Sequence, residues 1–94
     1  MVGKQYDLEQ ATVVLFNPLG QMRATLRDAM LVLGFRNILD FGDLERARNA
    51  IIERSPDLVL LDLDREHDAV CDLVREVRHS RVCADPFMVI IALS

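Results

Sequence analysis

The stretch "PDLVLLDLDREHD", Pro56 to Asp68, decides the fold. Its apolar part is continuous rather than alternating, the pattern of a central parallel strand covered on both faces. It breaks into acid at Asp62 and Asp64, and Val70, Leu73, Val74 and Val77 then recur at helical spacing. A strand that runs straight into a helix is half of a βαβ unit, with Asp62 at its carboxyl end. A carboxylate in that place can bind a metal, accept a phosphoryl group or act as a base. The plainer reading is that Asp62 faces solvent, while Asp64, Glu66 and Asp68 complement the positive end of the following helix.

The same alternation extends outward in both directions. After a polar lead at residues 1–10, "ATVVLF" (Ala11 to Phe16) is a β-branched run that stops at "NPLG", where Pro18 removes a backbone donor and Gly20 loosens the turn. Met22, Leu26, Met30 and Leu33 then form a helical stripe closed by Gly34, a suitable left-handed cap. "FRNILDF" reads as a second strand. Asp43 follows as N-cap of a helix whose Leu44, Ala47, Ala50 and Ile51 share one face, and Ser55-Pro56 ends it. "DPFMVIIALS" supplies a fourth apolar run. The order βαβαβαβ with short links predicts an α/β domain with a parallel sheet and right-handed crossovers. Ligands of such sheets bind beyond the carboxyl ends of the strands. "FNPLG", "DLDREHD" and Ser94 should meet there.

Composition narrows the functions. Ninety-four residues fit one domain, 1–94, and such a chain buries roughly two-thirds of its unfolded surface. Hydrophobic residues at 51% and charged residues at 28% are globular values. A net charge of -4 gives no basic surface for nucleic acid. Cys71 and Cys83 form neither a zinc pattern nor a disulfide framework and suit a reducing cytoplasm as small buried or half-buried side chains. No apolar run, Phe87 to Leu93 included, approaches the roughly 20 residues that cross a bilayer. His67 and His79 read as surface residues, and Arg75 and Arg78 as a solvated face near a helix's negative end.

Taken together the residues resemble the receiver domain of two-component response regulators. "ATVVLFN" is similar to that family's first strand, "RATLRDAMLVLGF" to its first helix, and "DFGDLERARNAI" to the second strand running into an "A-x-x-A" helix. "PDLVLLDLD" resembles the third strand and "MVIIALS" the fourth. The resemblance implies a flavodoxin-like, three-layer doubly wound fold, here an incomplete (βα)3β with strand order 2-1-3-4. It places Asp62 at the phosphoacceptor position and Ser94 at the switch hydroxyl. It also implies phosphate delivered by a histidine kinase or phosphotransfer protein, with Mg²⁺ as the metal. The ligands at matching positions would be Asp62, Asn17 and the backbone carbonyl of Asp64.

The sequence departs from that family at informative places. Where the family carries two adjacent acids for Mg²⁺, Asn17 and Pro18 stand, and Pro18 cannot replace a carboxylate. The family's Pro and Gly after the third strand are replaced by Arg65 and Glu66. The family's fifth strand, with its lysine, and two further helices have no counterpart in these 94 residues, whose one lysine, Lys4, precedes the first strand. The expectation is therefore a receiver fold left with an exposed fourth strand, prone to dimerise or exchange elements, or part of a longer protein. Its output would be a change in protein association, not catalysis. Two other readings stand beside it. One is a pseudo-receiver that signals without phosphorylation. The other is a fragment resembling haloacid-dehalogenase phosphatases, whose nucleophile motif also reads hydrophobic-strand-DxD but continues into elements this chain lacks.

Overall fold

The computed structural model describes residues 8–63, 67–79 and 89–93. Seven elements alternate as expected: β1 (Thr12–Phe16), α1 (Gly20–Leu33), β2 (Asn37–Phe41), α2 (Leu44–Arg54), β3 (Leu58–Asp62), α3 (His67–His79) and β4 (Val89–Leu93). All strand pairs are parallel, and the sheet order is β2-β1-β3-β4. The chain is thus α/β with the 2-1-3-4 doubly wound order. Asp64, Arg65, Glu66, Cys83, Ser94 and Lys4 lie outside the described residues.

Alternation along β1 and β3 explains the layers. Val13 and Leu15 on one face, with Ile38 and Leu60, pack under Met30 and Leu26 of α1. Val14, Phe16, Val59 and Leu61 on the other meet Ala47, Ala50 and Ile51 of α2 and Val70 and Leu73 of α3. Val13, Val14, Leu15 and Val59 are 0% exposed, so both faces of the central strands are sealed. The small side chains of Ala47 and Ala50 let α2 lie close to the sheet. At the amino edge, the Thr12 amide donates to Asp57 Oδ2 (2.9 Å), Asp57 donates to Thr12 O, and Val89 donates to Asp57 O. Asp57 thus ties three strands together and fixes the register in which Val13 faces Leu58 and Leu58 faces Val89.

Helix ends follow their residues. Gly34 takes φ 113°, donates to Leu31 O, and Phe35 donates to Met30 O, a Schellman closure. Asp43 accepts from the Glu45 amide at 3.1 Å and starts α2. Ser55 ends α2 in the left-handed region at φ 45°. The α1 stripe needs correction: Leu26 and Met30 pack on the sheet, but Met22 and Leu33 are largely exposed, at 49% and 64%. A helix of 14 residues runs about 21 Å, and a five-residue strand about 17 Å. Met22 and Leu33 lie in the end turns of α1. Among the described residues no helix is long and apolar enough to cross a membrane.

The helices α2 and α3 are joined across their outer surface by a forked ion pair. Arg48 Nε meets Glu76 Oε1 at 2.7 Å and Nη2 meets Oε2 at 3.0 Å, with Glu45 Oε1 3.8 Å from Nη1. The hydrogen bonds from Arg48 hold the Glu76 carboxyl below its ordinary range, and Glu76 holds Arg48 above its own. A lowered carboxyl contributes stability above its unfolded pKa and loses it as pH falls through the folded value. The stability difference between wild type and Glu76→Gln should accordingly be present at neutral pH, fade on acidification from the ordinary Glu range down through the lowered folded value, and shrink in high salt. Chemical denaturation across pH measures it, and a difference that persists in acid contradicts the assignment. Ser55→Gly should stabilise the chain by about 0.5–1 kcal/mol. The left-handed region costs an L side chain about 1–2 kcal/mol, against about 0.5–1 kcal/mol for glycine's extra chain entropy. A lower denaturation midpoint counts against it.

Candidate functional site

The carboxyl edge of the sheet is built by β1 and β3, the two central strands. Phe16 faces Leu61 in the parallel register, and each is followed in the chain by a polar residue, Asn17 just past β1 and Asp62 at the end of β3. They are the two buried polar or charged side chains among the described residues, Asn17 at 5% and Asp62 at 9% exposure. Both arrive there for the same reason: each is the first polar residue after an apolar run that is itself fully enclosed. Burial of a carboxylate is costly unless it is satisfied by polar partners. No buried side-chain nitrogen or oxygen among the described residues lacks a hydrogen bond, and Asp62 is among the partnered residues. Asp62 lies opposite Leu93 of β4, which puts the strand preceding Ser94 directly alongside.

Asn17 is locally committed. Its Oδ1 accepts the Leu19 amide at 2.9 Å, a two-residue side-chain turn that Pro18 supports by giving up its own donor. Leu19 in turn opens α1, accepting the Arg23 amide at 2.8 Å. The Asn17 amide donates to Phe41 O of β2 at 3.1 Å, and its carbonyl accepts Arg23 Nη1 at 2.9 Å. The loop after β1 is thereby fixed from four directions. Pro18 is half-buried and contributes no side-chain ligand.

Two of the three residues that the resemblance assigns to Mg²⁺ are described, and they fit the ion poorly. Mg²⁺ needs near-octahedral oxygen ligands and favours anionic ones. Asp62 brings one carboxylate, while the Asn17 side-chain oxygen and carbonyl are both already accepting hydrogen bonds. Among the described residues no group of three or more His, Cys, Asp or Glu could hold a metal ion.

Sequence reasoning missed Arg23 and Asp40. Arg23 Nε lies 3.4 Å from Asp40 Oδ2, and Arg27 Nη1 3.3 Å from Asp40 Oδ1, all on the α1 side of the sheet. The available signal was Asp40 itself, an acid inside the otherwise apolar "ILDF", which needs a cation from whatever covers that face. The other expectations fall on α3. His67 is exposed, with Asp68 Oδ1 3.6 Å from its Nδ1, and Cys71 is half-buried with its sulfur 3.8 Å from the same nitrogen. Arg75 is exposed and pairs with Asp72 one turn earlier. Compared with protein-family models and with curated proteins, the chain matches none.

Proposed function

We propose that the chain is a receiver-like signalling module, with Asp62 as its phosphoacceptor and altered protein association as its output. The observation that carries this reading is the position of Asp62. It is a buried carboxylate at the carboxyl end of the central strand of a 2-1-3-4 parallel sheet, beside the loop after β1. A carboxylate there can attack an activated phosphorus, forming an acyl phosphate as the donor's leaving group departs. The donor in a pathway would be a phosphohistidine on a kinase or phosphotransfer protein. β4 would be the first element to respond, because Leu93 is the register partner of Asp62. Ser94, outside the described residues, is the candidate hydroxyl that follows.

A second reading, the phosphorylation-independent pseudo-receiver, is favoured by a specific observation: Asn17 spends its oxygens on Leu19 and Arg23. Incubating the chain with acetyl phosphate, with and without Mg²⁺, separates the two. Intact mass should rise by one phosphate in wild type and stay unchanged in Asp62→Asn. No gain in wild type overturns the phosphoacceptor reading and leaves the pseudo-receiver.

Self-association is the proposed form of the output. β4 is an outer strand of the sheet, its five residues "VIIAL" carry no charge, and Val89 and Ile91 are 52% and 41% exposed. Uncharged, apolar edge strands pair readily with other chains. Light scattering should give a mass that rises with concentration for wild type and less so for Ile91→Lys. A concentration-independent monomer contradicts this part of the proposal.

A further inference from the structure

The loop after β1 and the end of β2 are joined by a cation that belongs to the chain. Arg23, in the first turn of α1, reaches back across the edge. Its Nη1 donates to Asn17 O at 2.9 Å, and its Nε lies 3.4 Å from Asp40 Oδ2. Both side chains are about three-quarters buried, at 27% and 26% exposure. Gly42, just beyond β2, makes room for the guanidinium: a Cβ at that position would lie 2.5 Å from Nη1. A guanidinium is permanently charged, planar and weakly hydrated, so it can bridge two oxygens in a half-buried place where an ammonium or a hydrated ion would be less well served. Asn17 follows the last residue of β1 and Asp40 lies in β2, the two strands being paired as Leu15 with Asp40 and Phe16 with Phe41. The arginine therefore spans β1 and β2 at the point where the chain leaves the sheet.

We infer that Arg23 is the resident cation of this edge, a positioning residue that sets the loop carrying Asn17 and makes its shape independent of any divalent ion. The inference rests on the reading of this edge as the working edge, but not on whether Asp62 takes phosphate. It accounts for two features at once: the Asn17 carbonyl is engaged by an internal donor, and the residue after β2 is one without a side chain. A glycine-to-alanine change at 42 displaces only the far end of a flexible side chain, which is sterically mild, but the atom displaced is the Nη1 that donates to Asn17 O.

The test compares wild type, Arg23→Met, Gly42→Ala and the double variant by thermal unfolding and by amide NMR, in EDTA and in excess MgCl₂ at matched ionic strength. Wild type should show the same Tm and the same Asn17 and Leu19 resonances in both buffers. Arg23→Met and Gly42→Ala should each lower Tm by a few degrees and move those resonances the same way, with a combined loss smaller than the two separate losses added. Mn²⁺ should broaden the Asn17 and Asp40 amide signals in Arg23→Met and leave them sharp in wild type, a change that loss of an ordinary surface ion pair would not produce. A wild-type Tm that rises with Mg²⁺ overturns the inference, as does a Gly42→Ala chain whose Asn17 and Leu19 resonances stay in place. If Arg23→Met does not fold, the wild-type and Gly42→Ala measurements decide alone. Failure to take phosphate at Asp62 would leave these results unchanged, so the two proposals fail separately.

Discussion

Enclosure of the two central strands is the constraint on which the rest depends. Val13, Val14, Leu15, Phe16, Val59, Leu60 and Leu61 are all at least nine-tenths buried, and each such side chain contributes about 1.5–3 kcal/mol when taken out of water. Together they outweigh the several kcal/mol that one desolvated carboxylate costs. The strands therefore carry Asp62, and with it Asn17, into the protein at their carboxyl ends. Neither residue would choose that environment alone. Because both faces of β1 and β3 are apolar, helices must lie on both, and the connections between consecutive parallel strands supply them.

The polar edge that results is organised by short-range bonds of the loop after β1. Asn17 uses its side chain to start α1 and its backbone to hold β2 and Arg23. Arg23 then links that loop to Asp40, and Arg27 adds a second cation to the same carboxylate. At the opposite, amino edge a single residue, Asp57, joins β1, β3 and β4. The sheet is thus pinned at both ends by side chains reaching across strands, and the β3 to β4 pairing lies between them. Any chemistry at Asp62 would be felt first along that pairing, where the outer strand has one neighbour instead of two.

The elements were legible because each is punctuated by residues with one physical meaning. Gly34 and Ser55 take left-handed conformations at helix ends, and Asp43 caps α2 through its carboxylate. The continuous run at Leu58–Asp62 announced a strand buried on both faces, and it is. Strand order was not legible from periodicity, since apolar spacing is blind to which strand lies beside which; the resemblance to receiver domains supplied it. Periodicity also overstated the buried face of α1, because Met22 and Leu33 keep the helical phase but lie in the end turns and are exposed. At the site, Asn17 and Asp62 could be located as strand ends. Arg23 could not, because its partners Asn17 and Asp40 come from different elements and only the parallel pairing of β1 with β2 brings them together.

The proposed function requires the buried carboxylate at the end of β3 to be open to a phosphodonor and coupled to β4 through its register partner Leu93. The most direct measurement is the amide NMR spectrum of the chain before and after exposure to acetyl phosphate, with Asp62→Asn as control. The account predicts shifts concentrated at Asn17, Leu61, Asp62 and Leu93 in wild type and none in the variant. Shifts that appear equally in Asp62→Asn, or that leave these residues untouched, would contradict it.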